Sequence, residues 1–171
     1  NVTTFHYDNQ RSGFNDKETI LTPDNVNPET FGKLFSLTVD GYVYSQPLYI
    51  SGLIINGSKH NVVFVSTEKN NVYAFDADNY NNGTPLWQTS LLNSGELLAS
   101  GGNPAPYDGS TSTPVIDAAA NTMYAVTLQH PANGANVFRL NAIDIATGNI
   151  LQQVPITAQV SPAQSSAAVG G

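Results

Sequence analysis

The stretch NVYAFDAD, residues Asn71–Asp78, has a counterpart in LNAIDIATGN, residues Leu140–Asn149. Both stretches alternate apolar or small residues with polar ones, reach an aspartate, and then enter a turn. An alternation with a period of two predicts a β-strand with one buried face. The two aspartates, Asp76 and Asp144, are 68 positions apart, and this spacing predicts that the chain contains the same structural unit twice.

The flanking sequence extends each copy to four short β-favouring runs. In the first copy these are SQPLYI, NVVFVSTE, NVYAFDADN and PLWQTSL, and in the second STPVID, NTMYAVTL, RLNAIDIATGN and ILQQVPI. Four-stranded antiparallel units in tandem are typical of β-propeller blades. We predict an all-β fold with two such blades, at residues 43–92 and 112–160, because one blade cannot bury both of its faces.

The other segments extend or connect the two predicted blades. In the lead segment, residues 1–42, the string TPDNV predicts a short helix with Thr22 as its N-cap. The string KLFSLTV, residues 33–39, predicts a strand donated to the blade that would close a ring. Residues 93–111 are predicted to be a long inter-blade loop, and the Ser/Ala/Gly-rich residues 161–171 a loose tail.

Composition excludes several classes of function. The 171 residues are only 11% charged, carry a net charge of −7 and include no cysteine. A chain with so few cations has no basic patch for nucleic acid, and without cysteine it has no thiolate metal site. No apolar run reaches the roughly 18–20 residues needed for membrane insertion. Because uncharged polar residues replace charges, we expect a secreted or periplasmic protein.

The strings TPDNV, FGKLFSLTVDG, VYSQPLYI, HNVVFVSTEKNNVYAFDAD and PLWQTSL resemble the N-terminal blades of bacterial PQQ-like β-propeller repeat proteins. This is a secreted, mostly uncharacterised group related to quinoprotein dehydrogenases. The second copy is similar to the blade that follows, so the resemblance spans residues 2–156. It implies a ring of roughly seven or eight blades, of which this sequence holds two and a donated strand.

Two blades alone leave an apolar face open at each end. At about 25 cal/mol per Å², a few hundred Å² per end amounts to on the order of 10 kcal/mol. We therefore expect a fragment of a larger propeller, or a subunit that completes its ring with other copies, and not a stable isolated monomer. The expected partners are thus the remaining blades of a parent chain or other copies of this one.

The resemblance also indicates which residues of a quinoprotein dehydrogenase this sequence lacks. Quinoprotein dehydrogenases have a glutamate in a Glu-x-x-Pro tetrad before the first inner strand and an adjacent cysteine pair over PQQ. The corresponding tetrad here, Tyr44–Pro47, has tyrosine at the glutamate position, and cysteine is absent. We therefore assign no catalytic, cofactor-binding or metal-binding residue. PQQ and calcium are expected only if the parent protein is a quinoprotein.

One loop has a partial calcium-binding pattern, with oxygen-bearing residues and a glycine at Asp76, Asp78, Asn79, Asn81 and Gly83. An EF-type loop needs an oxygen ligand at position 5 and glycine at position 6, but the sequence has Tyr80 and Asn81 there. The preferred interpretation is that Asp76 and Asp144 end a strand and accept hydrogen bonds from the turn backbone.

The remaining polar candidates are interpreted structurally. The histidines are widely spaced in the sequence and are assigned to exposed turns: His6, His60 and His130. The serine and threonine cluster lacks the G-x-S-x-G pattern of a hydrolase and is assigned to the approach to an inner strand: Ser110, Ser112 and Thr113. Glu68 is expected to lie in a solvated turn, and Trp87 to pack between blades, with a ligand-stacking role as its alternative.

These observations favour a scaffold or binding module without catalysis by these residues. Its contact surfaces are expected at the loop Asn93–Thr111 and the turn Ser51–His60, with a carbohydrate or protein as ligand. Two alternatives stay open: the N-terminal part of a PQQ-dependent alcohol or sugar dehydrogenase, and a self-assembling extracellular subunit.

Overall fold

A computed structural model of the chain describes residues 1–101 and 106–157, so the predicted tail at 161–171 lies outside the described residues. The fold is all-β, as predicted. Its strands are β1 (Leu48–Ile55), β2 (Ser58–Ser66), β3 (Asn71–Asp76), β4 (Trp87–Ser90), β5 (Glu96–Leu98), β6 (Val115–Asp117), β7 (Thr122–Pro131), β8 (Val137–Asp144) and β9 (Ile150–Pro155). Over these ranges no helix has the length and hydrophobicity needed to cross a bilayer.

The strands form two antiparallel sheets, one for each copy of the repeated unit. The first sheet has the order β1–β2–β3–β4, and the second has the order β5–β7–β8–β9. Strand β6 pairs with the first part of β7, while β5 pairs with its last part. The edge of the second sheet is therefore shared by two short strands that the intervening chain separates.

The two sheets have the same strand register. In the first sheet Phe64 lies between Leu48 and Ala74, and Ala74 pairs with Trp87. The aligned residues of the second sheet pair in the same way: Val115 with Tyr124, Tyr124 with Ala142, and Ala142 with Gln152. This agreement across all four strands shows that the sequence repeat is also a structural repeat.

The hydrophobic core lies between the two sheets. Leu48, Phe64 and Val72 of the first sheet belong to one buried cluster with Met123 and Ile143 of the second. These residues alternate with polar or outward-facing residues along their strands, which is why a period of two predicted their positions. Each sheet thus buries one of its faces against the other.

The N-terminal residues join the inner edges of the two sheets. Val2 forms an antiparallel bridge with Tyr49 of β1 through hydrogen bonds of 2.8 and 2.9 Å. The carbonyl oxygen of the next residue, Thr3, accepts a hydrogen bond of 2.8 Å from the amide of Ile116 in β6. This short segment lies beside both inner strands and satisfies backbone groups of each.

The lead segment differs from its prediction in two respects. The expected helix is a single turn, in which the amides of Asn25 and Val26 donate to the carbonyl of Thr22. Pro28 follows, and because it lacks an N–H the helix cannot propagate through it. The expected strand at 33–39 is also wrong, since these residues have no strand partner among the described residues, and a β-strand requires one.

Two predicted loops are partly strand. The expected long turn Ser51–His60 is the end of β1 and the start of β2, joined by the two-residue turn Asn56–Gly57 with φ values of 51° and 80°. Positive φ at both residues matches the twist of a tight hairpin. The expected inter-blade loop at 93–111 contains β5, because β7 is long enough to offer a second pairing edge.

Candidate functional site

The second sheet has an open apolar face on the side turned away from the first sheet. Because Met123 and Ile143 point toward the first sheet, their neighbours Tyr124 and Ala142 lie on the opposite side. Phe64 is buried at 2% exposure, whereas its counterpart Tyr124 is 40% exposed. We define the open face by its exposed apolar residues Val115, Tyr124, Phe138, Leu140 and Val154.

A cavity lies at the end of the first sheet where β2 turns into β3. Its volume is about 400 Å³, and its walls include Asp40, Tyr42, Glu68, Lys69 and Tyr107. We call it the end cavity. The ammonium of Lys69 lies 6.0 Å from the centre of the Tyr107 ring, within the range of a cation–π contact. The end cavity thus combines aromatic rings with charges of both signs.

The carboxylate of Asp40 fixes the lead segment to this end of the sheet. It accepts hydrogen bonds of 2.9 Å from the Thr67 hydroxyl and 2.5 Å from the Asn71 side-chain amide. The pKa of the nearby Tyr73 phenol is raised, first by burial and then by the negative charge of Asp40. Asp40 therefore holds the wall of the end cavity in place although its own segment forms no strand.

Glu68 is not the solvated turn residue that was predicted. Only 1% of Glu68 is exposed to solvent, because the main chain of Tyr42 and the loop at Gly109 cover the turn. A Cβ atom at Gly109 would lie 1.9 Å from the Glu68 carbonyl oxygen, so only glycine permits this approach. Within the described ranges, three buried side-chain oxygens have no hydrogen-bond partner: Glu68 Oε2, Asn70 Oδ1 and Ser110 Oγ.

A second cavity, of about 430 Å³, lies beside the inner strands. Its walls include Arg11, Tyr44, Ser112 and Thr113. The Thr113 hydroxyl accepts a hydrogen bond of 2.9 Å from the amide of Gln46, so part of the predicted serine and threonine cluster connects the two units. The pKa of the Tyr44 phenol is raised, first by desolvation and then by negative charge from residues that include Glu68.

The aspartates of the opening motif stabilise turns, as predicted. Asp76 Oδ1 accepts hydrogen bonds from the amides of Asp78 and Asn79 at 2.9 and 3.1 Å. Asp144 Oδ1 accepts from the amides of Ala146 and Thr147 at 2.9 and 2.8 Å. Each carboxylate satisfies two backbone donors in the turn after its strand, which fixes the direction in which the chain leaves the sheet.

His60 occupies a different environment from the exposed turn that was predicted. It lies in β2, and its Nδ1 atom is 2.7 Å from Asp76 Oδ2 on the neighbouring strand β3. The hydrogen bond from His60 holds the pKa of Asp76 below its ordinary value. His6 stacks on Phe5. His130 also lies in a strand, β7, and not in the predicted turn, and its Nδ1 atom is 2.8 Å from Asn136 Oδ1. The three histidines therefore occupy separate regions.

Trp87 packs between the two units, as predicted. Its indole Nε1 donates a hydrogen bond of 3.0 Å to the carbonyl of Ile145, and its ring lies 5.8 Å from that of Phe64. A Cβ atom at Gly148 would lie 2.7 Å from the indole ring, and Gly148 has φ of +74°. Both the close approach and the backbone angle require glycine at this turn.

A buried polar cluster also joins the units, and the sequence did not reveal it. The Asn141 side-chain amide donates to the carbonyl of Ala125 at 2.9 Å, and its oxygen accepts from Gln153 at 2.7 Å. Gln129 donates to the carbonyl of Leu91 at 2.7 Å and accepts from the amide of Asn93 at 2.9 Å. The polar residues at alternating positions of β7 and β8 were the only available signal.

Across the residues described, no group of three or more histidine, cysteine, aspartate and glutamate side chains is arranged to hold a metal ion. Comparison with known protein families and with curated proteins gives no match to this chain. Functional inference therefore depends on the open face, the end cavity and the repeat itself.

Proposed function

We propose that the chain forms two successive blades of a β-propeller-type repeat protein, of the PQQ-like group that its sequence resembles, and that this repeat acts as a binding scaffold. In this proposal the next structural unit of the same kind packs on the open face of the second sheet. The proposal assigns no catalytic step to these residues. It also assigns the protein to the cell exterior or periplasm, where few charges and many uncharged polar residues are common.

One observation carries the proposal: the open face of the second sheet is equivalent to the face of the first sheet that packs against the second sheet. Tyr124 and Leu140 occupy the same register positions as Phe64 and Val72, which are buried against the second sheet. A structural repeat presents the same face at every step, so whatever packs on the open face should resemble the second sheet. Exposed apolar sheet residues at such a position favour a further sheet over solvent.

The end cavity supports a binding role for the scaffold. Ligands bind to repeat scaffolds mainly through the loops and turns at the strand ends, where side chains can vary without loss of the core. Tyr42 and Tyr107 offer ring faces, while Lys69 offers a hydrogen-bond donor. This combination suits the apolar faces and hydroxyls of a carbohydrate, with a polar protein segment as the alternative ligand.

The repeat proposal is tested by adding a third unit. A second copy of residues 93–157 is appended after Gly171, so that a new sheet can reach the open face. We expect a higher midpoint of thermal unfolding and less binding of a hydrophobic dye than for the original chain. In the matched control, the first copy carries Tyr124→Lys and Leu140→Lys, which place charge on the open face, and the gain should disappear.

The experiment also defines the result that would contradict the repeat proposal. If the added unit leaves the unfolding midpoint and the dye binding unchanged, the open face does not accept a repeat unit and the proposal is wrong. A glycan array probed with the full chain tests the binding role separately. Retention that is lost in Tyr107→Ala, and kept in the exposed-site control Tyr80→Ala, is the expected outcome.

A further inference from the structure

The chain contains three asparagines that glycine follows directly: Asn56, Asn82 and Asn133. In this dipeptide no side chain hinders the amide nitrogen of the second residue, because glycine lacks a Cβ atom. That nitrogen can therefore attack the side-chain carbonyl carbon of the asparagine and close a cyclic imide. All three asparagines are exposed, so water reaches each of them and the backbone at each position decides the reaction.

Asn56 is held in a geometry that opposes ring closure. It lies with Gly57 in the two-residue turn between β1 and β2, at φ values of 51° and 80°. The residues on either side, Ile55 and Ser58, pair with each other across the hairpin. Ring closure requires the asparagine to rotate about its Cα–C bond until its side chain faces the next nitrogen. In a tight turn with both ends paired, that rotation would open the hairpin.

Asn82 is held by its own backbone and by a hydrogen bond. It lies in the short 3₁₀ turn Asn81–Gly83, with φ of 51° and ψ of 28°. The amide of Gly83 donates a hydrogen bond of 2.8 Å to the carbonyl of Tyr80. The attacking nitrogen must give up this bond before it can reach the asparagine side chain. A hydrogen bond that must first be broken slows such a step by about fivefold.

Asn133 lies in a longer and more open connection. The loop at 132–136 joins β7 to β8, and every residue in it is exposed. Neither Asn133 nor Gly134 has a positive φ, so neither is fixed in the geometry of the other two turns. A Cβ atom at Gly134 would meet Pro131 at 3.9 Å and no nearer atom outside the adjacent residues. The space beside the attacking nitrogen is therefore open.

We propose that Asn133 is a site of spontaneous deamidation in the folded protein. The amide nitrogen of Gly134 forms a bond to Cγ of Asn133, and the bond from Cγ to Nδ2 breaks. The side-chain nitrogen leaves as ammonia with the proton that the Gly134 amide has lost. Water then opens the cyclic imide at either carbonyl, which leaves aspartate or isoaspartate. Water is the only co-reactant, and the inference does not depend on the propeller proposal.

The modification changes both the charge and the backbone of this loop. Either product adds a negative charge to a chain whose net charge is already −7. Isoaspartate also routes the main chain through the former side chain, which lengthens the loop by a carbon atom. His130 Nδ1 and Asn136 Oδ1 are 2.8 Å apart at the ends of this connection. We therefore expect the modification to alter the β7–β8 hairpin and to leave the first sheet intact.

The test incubates the full chain in neutral to mildly alkaline buffer, with and without urea, and follows each position by peptide mass spectrometry. Without urea, we expect Asn133 to convert at least about fivefold faster than Asn82, the effect of the hydrogen bond at Gly83. Asn56 should also lag behind Asn133. In urea the three positions should convert at similar rates, because the dipeptide is the same and the turns are lost. Labelling by an isoaspartyl methyltransferase distinguishes isoaspartate from aspartate in the product peptide.

Gly134→Ala separates the backbone reaction from other losses of ammonia. Alanine fits there without strain, because Gly134 has no positive φ and open space beside it. The methyl group restricts the backbone at the attacking nitrogen and should slow conversion of Asn133 by at least about threefold. Gly32→Ala, with no atom within 4 Å of the added carbon, should convert at the wild-type rate.

Three results would overturn the proposal. Without urea, Asn56 or Asn82 could convert as fast as Asn133. Conversion of Asn133 could occur in urea alone, or Gly134→Ala could convert at the wild-type rate.

Discussion

The indole of Trp87, in the last strand of the first sheet, donates a hydrogen bond of 3.0 Å to the carbonyl of Ile145, the residue that follows β8 of the second sheet. Beside it, the Thr89 hydroxyl donates to the carbonyl of Gly148 at 2.6 Å. These contacts join β4, the outer strand of the first unit, to the turn that follows β8 in the second unit. The corresponding residue of the second unit is Gln152, on the side of the sheet where no further unit is described.

Replacing Trp87 should weaken the junction in two separable steps. Trp87→Phe keeps an aromatic ring but removes the hydrogen bond to Ile145, and should lower the free energy of unfolding by about 1 kcal/mol. Trp87→Ala also removes the ring from its contact with Phe64, for a total loss of about 3 kcal/mol. Urea unfolding measures both values, with the exposed Leu34→Ala as the control. Equal losses for the two variants would contradict a role for ring packing.

Gly148→Ala should destabilise the same junction from the other side. The new methyl group would meet the indole ring at 2.7 Å, and the backbone would keep a positive φ of 74°. We expect a loss of at least about 2 kcal/mol from the backbone angle and the clash together. Gly32→Ala is the matched control, because that glycine has a negative or extended φ and no atom within 4 Å of the added carbon. Similar losses at both positions would contradict this explanation.

The pair His60 and Asp76 predicts a specific pH dependence. Because the folded-state pKa of Asp76 is lowered, its contribution to stability is present above the unfolded pKa and is lost as the pH falls through the folded value. The unfolding free energy of Asp76→Asn should be lower than that of the wild type by about 2 kcal/mol near pH 6. This difference should shrink below about pH 4.

Urea unfolding at a series of pH values measures that difference. Asp24→Asn changes an exposed aspartate in the lead segment and should follow the wild type throughout. A gap between Asp76→Asn and the wild type that stays constant down to about pH 3 would show that the ionised carboxylate is not the cause.

The polar cluster at Asn141 should behave as a coupled unit. Asn141→Ala leaves the buried carbonyl of Ala125 without this donor, so a loss of about 2–3 kcal/mol is expected. A double-mutant cycle with Gln153→Ala should give a coupling energy of about 1 kcal/mol, since the two side chains share a hydrogen bond of 2.7 Å. Asn9→Ala, at an exposed position, serves as the control. Additive losses would mean that the shared hydrogen bond contributes no stability.

The open face should make the isolated chain associate. In sedimentation experiments we expect species larger than the monomer, which Leu140→Lys converts toward monomer by placing charge among the apolar side chains. Leu34→Lys adds the same charge at a position that is already 90% exposed, and should leave the association unchanged. A compact wild-type monomer that unfolds cooperatively would contradict this prediction.

The local features of the fold were predictable because their causes lie within a few residues. The four strands of the first unit were expected near their observed positions, since a period of two predicts which residues face a core. Asp76 and Asp144 were correctly assigned to turns, because an aspartate bonds the backbone of the next two or three residues. The turn also began at Thr22, the expected residue, but it is the Thr22 carbonyl and not its hydroxyl that accepts hydrogen bonds from the amides of Asn25 and Val26. Pro28 then ended the turn, a local signal that outweighed the helix prediction.

The predictions that were wrong concern features that depend on distant parts of the chain. His60 could be placed beside Asp76 only when the pairing of β2 with β3 was known. Glu68 is buried because Gly109, about 40 residues later, packs on its turn. The donated strand at 33–39 failed because a strand needs a neighbour, and its own sequence cannot show whether one is present.

By itself, the sequence determined the all-β class, the repeated unit and the turns after Asp76 and Asp144, because hydrophobic periodicity and turn chemistry act over short distances. Only the tertiary structure decided which face of each sheet is covered, and it brought the oxygens of Glu68, Asn70 and Ser110 to neighbouring segments. Their burial results from the packing of one segment on another, and the free-energy cost of an unpaired buried oxygen arises only after that packing exists.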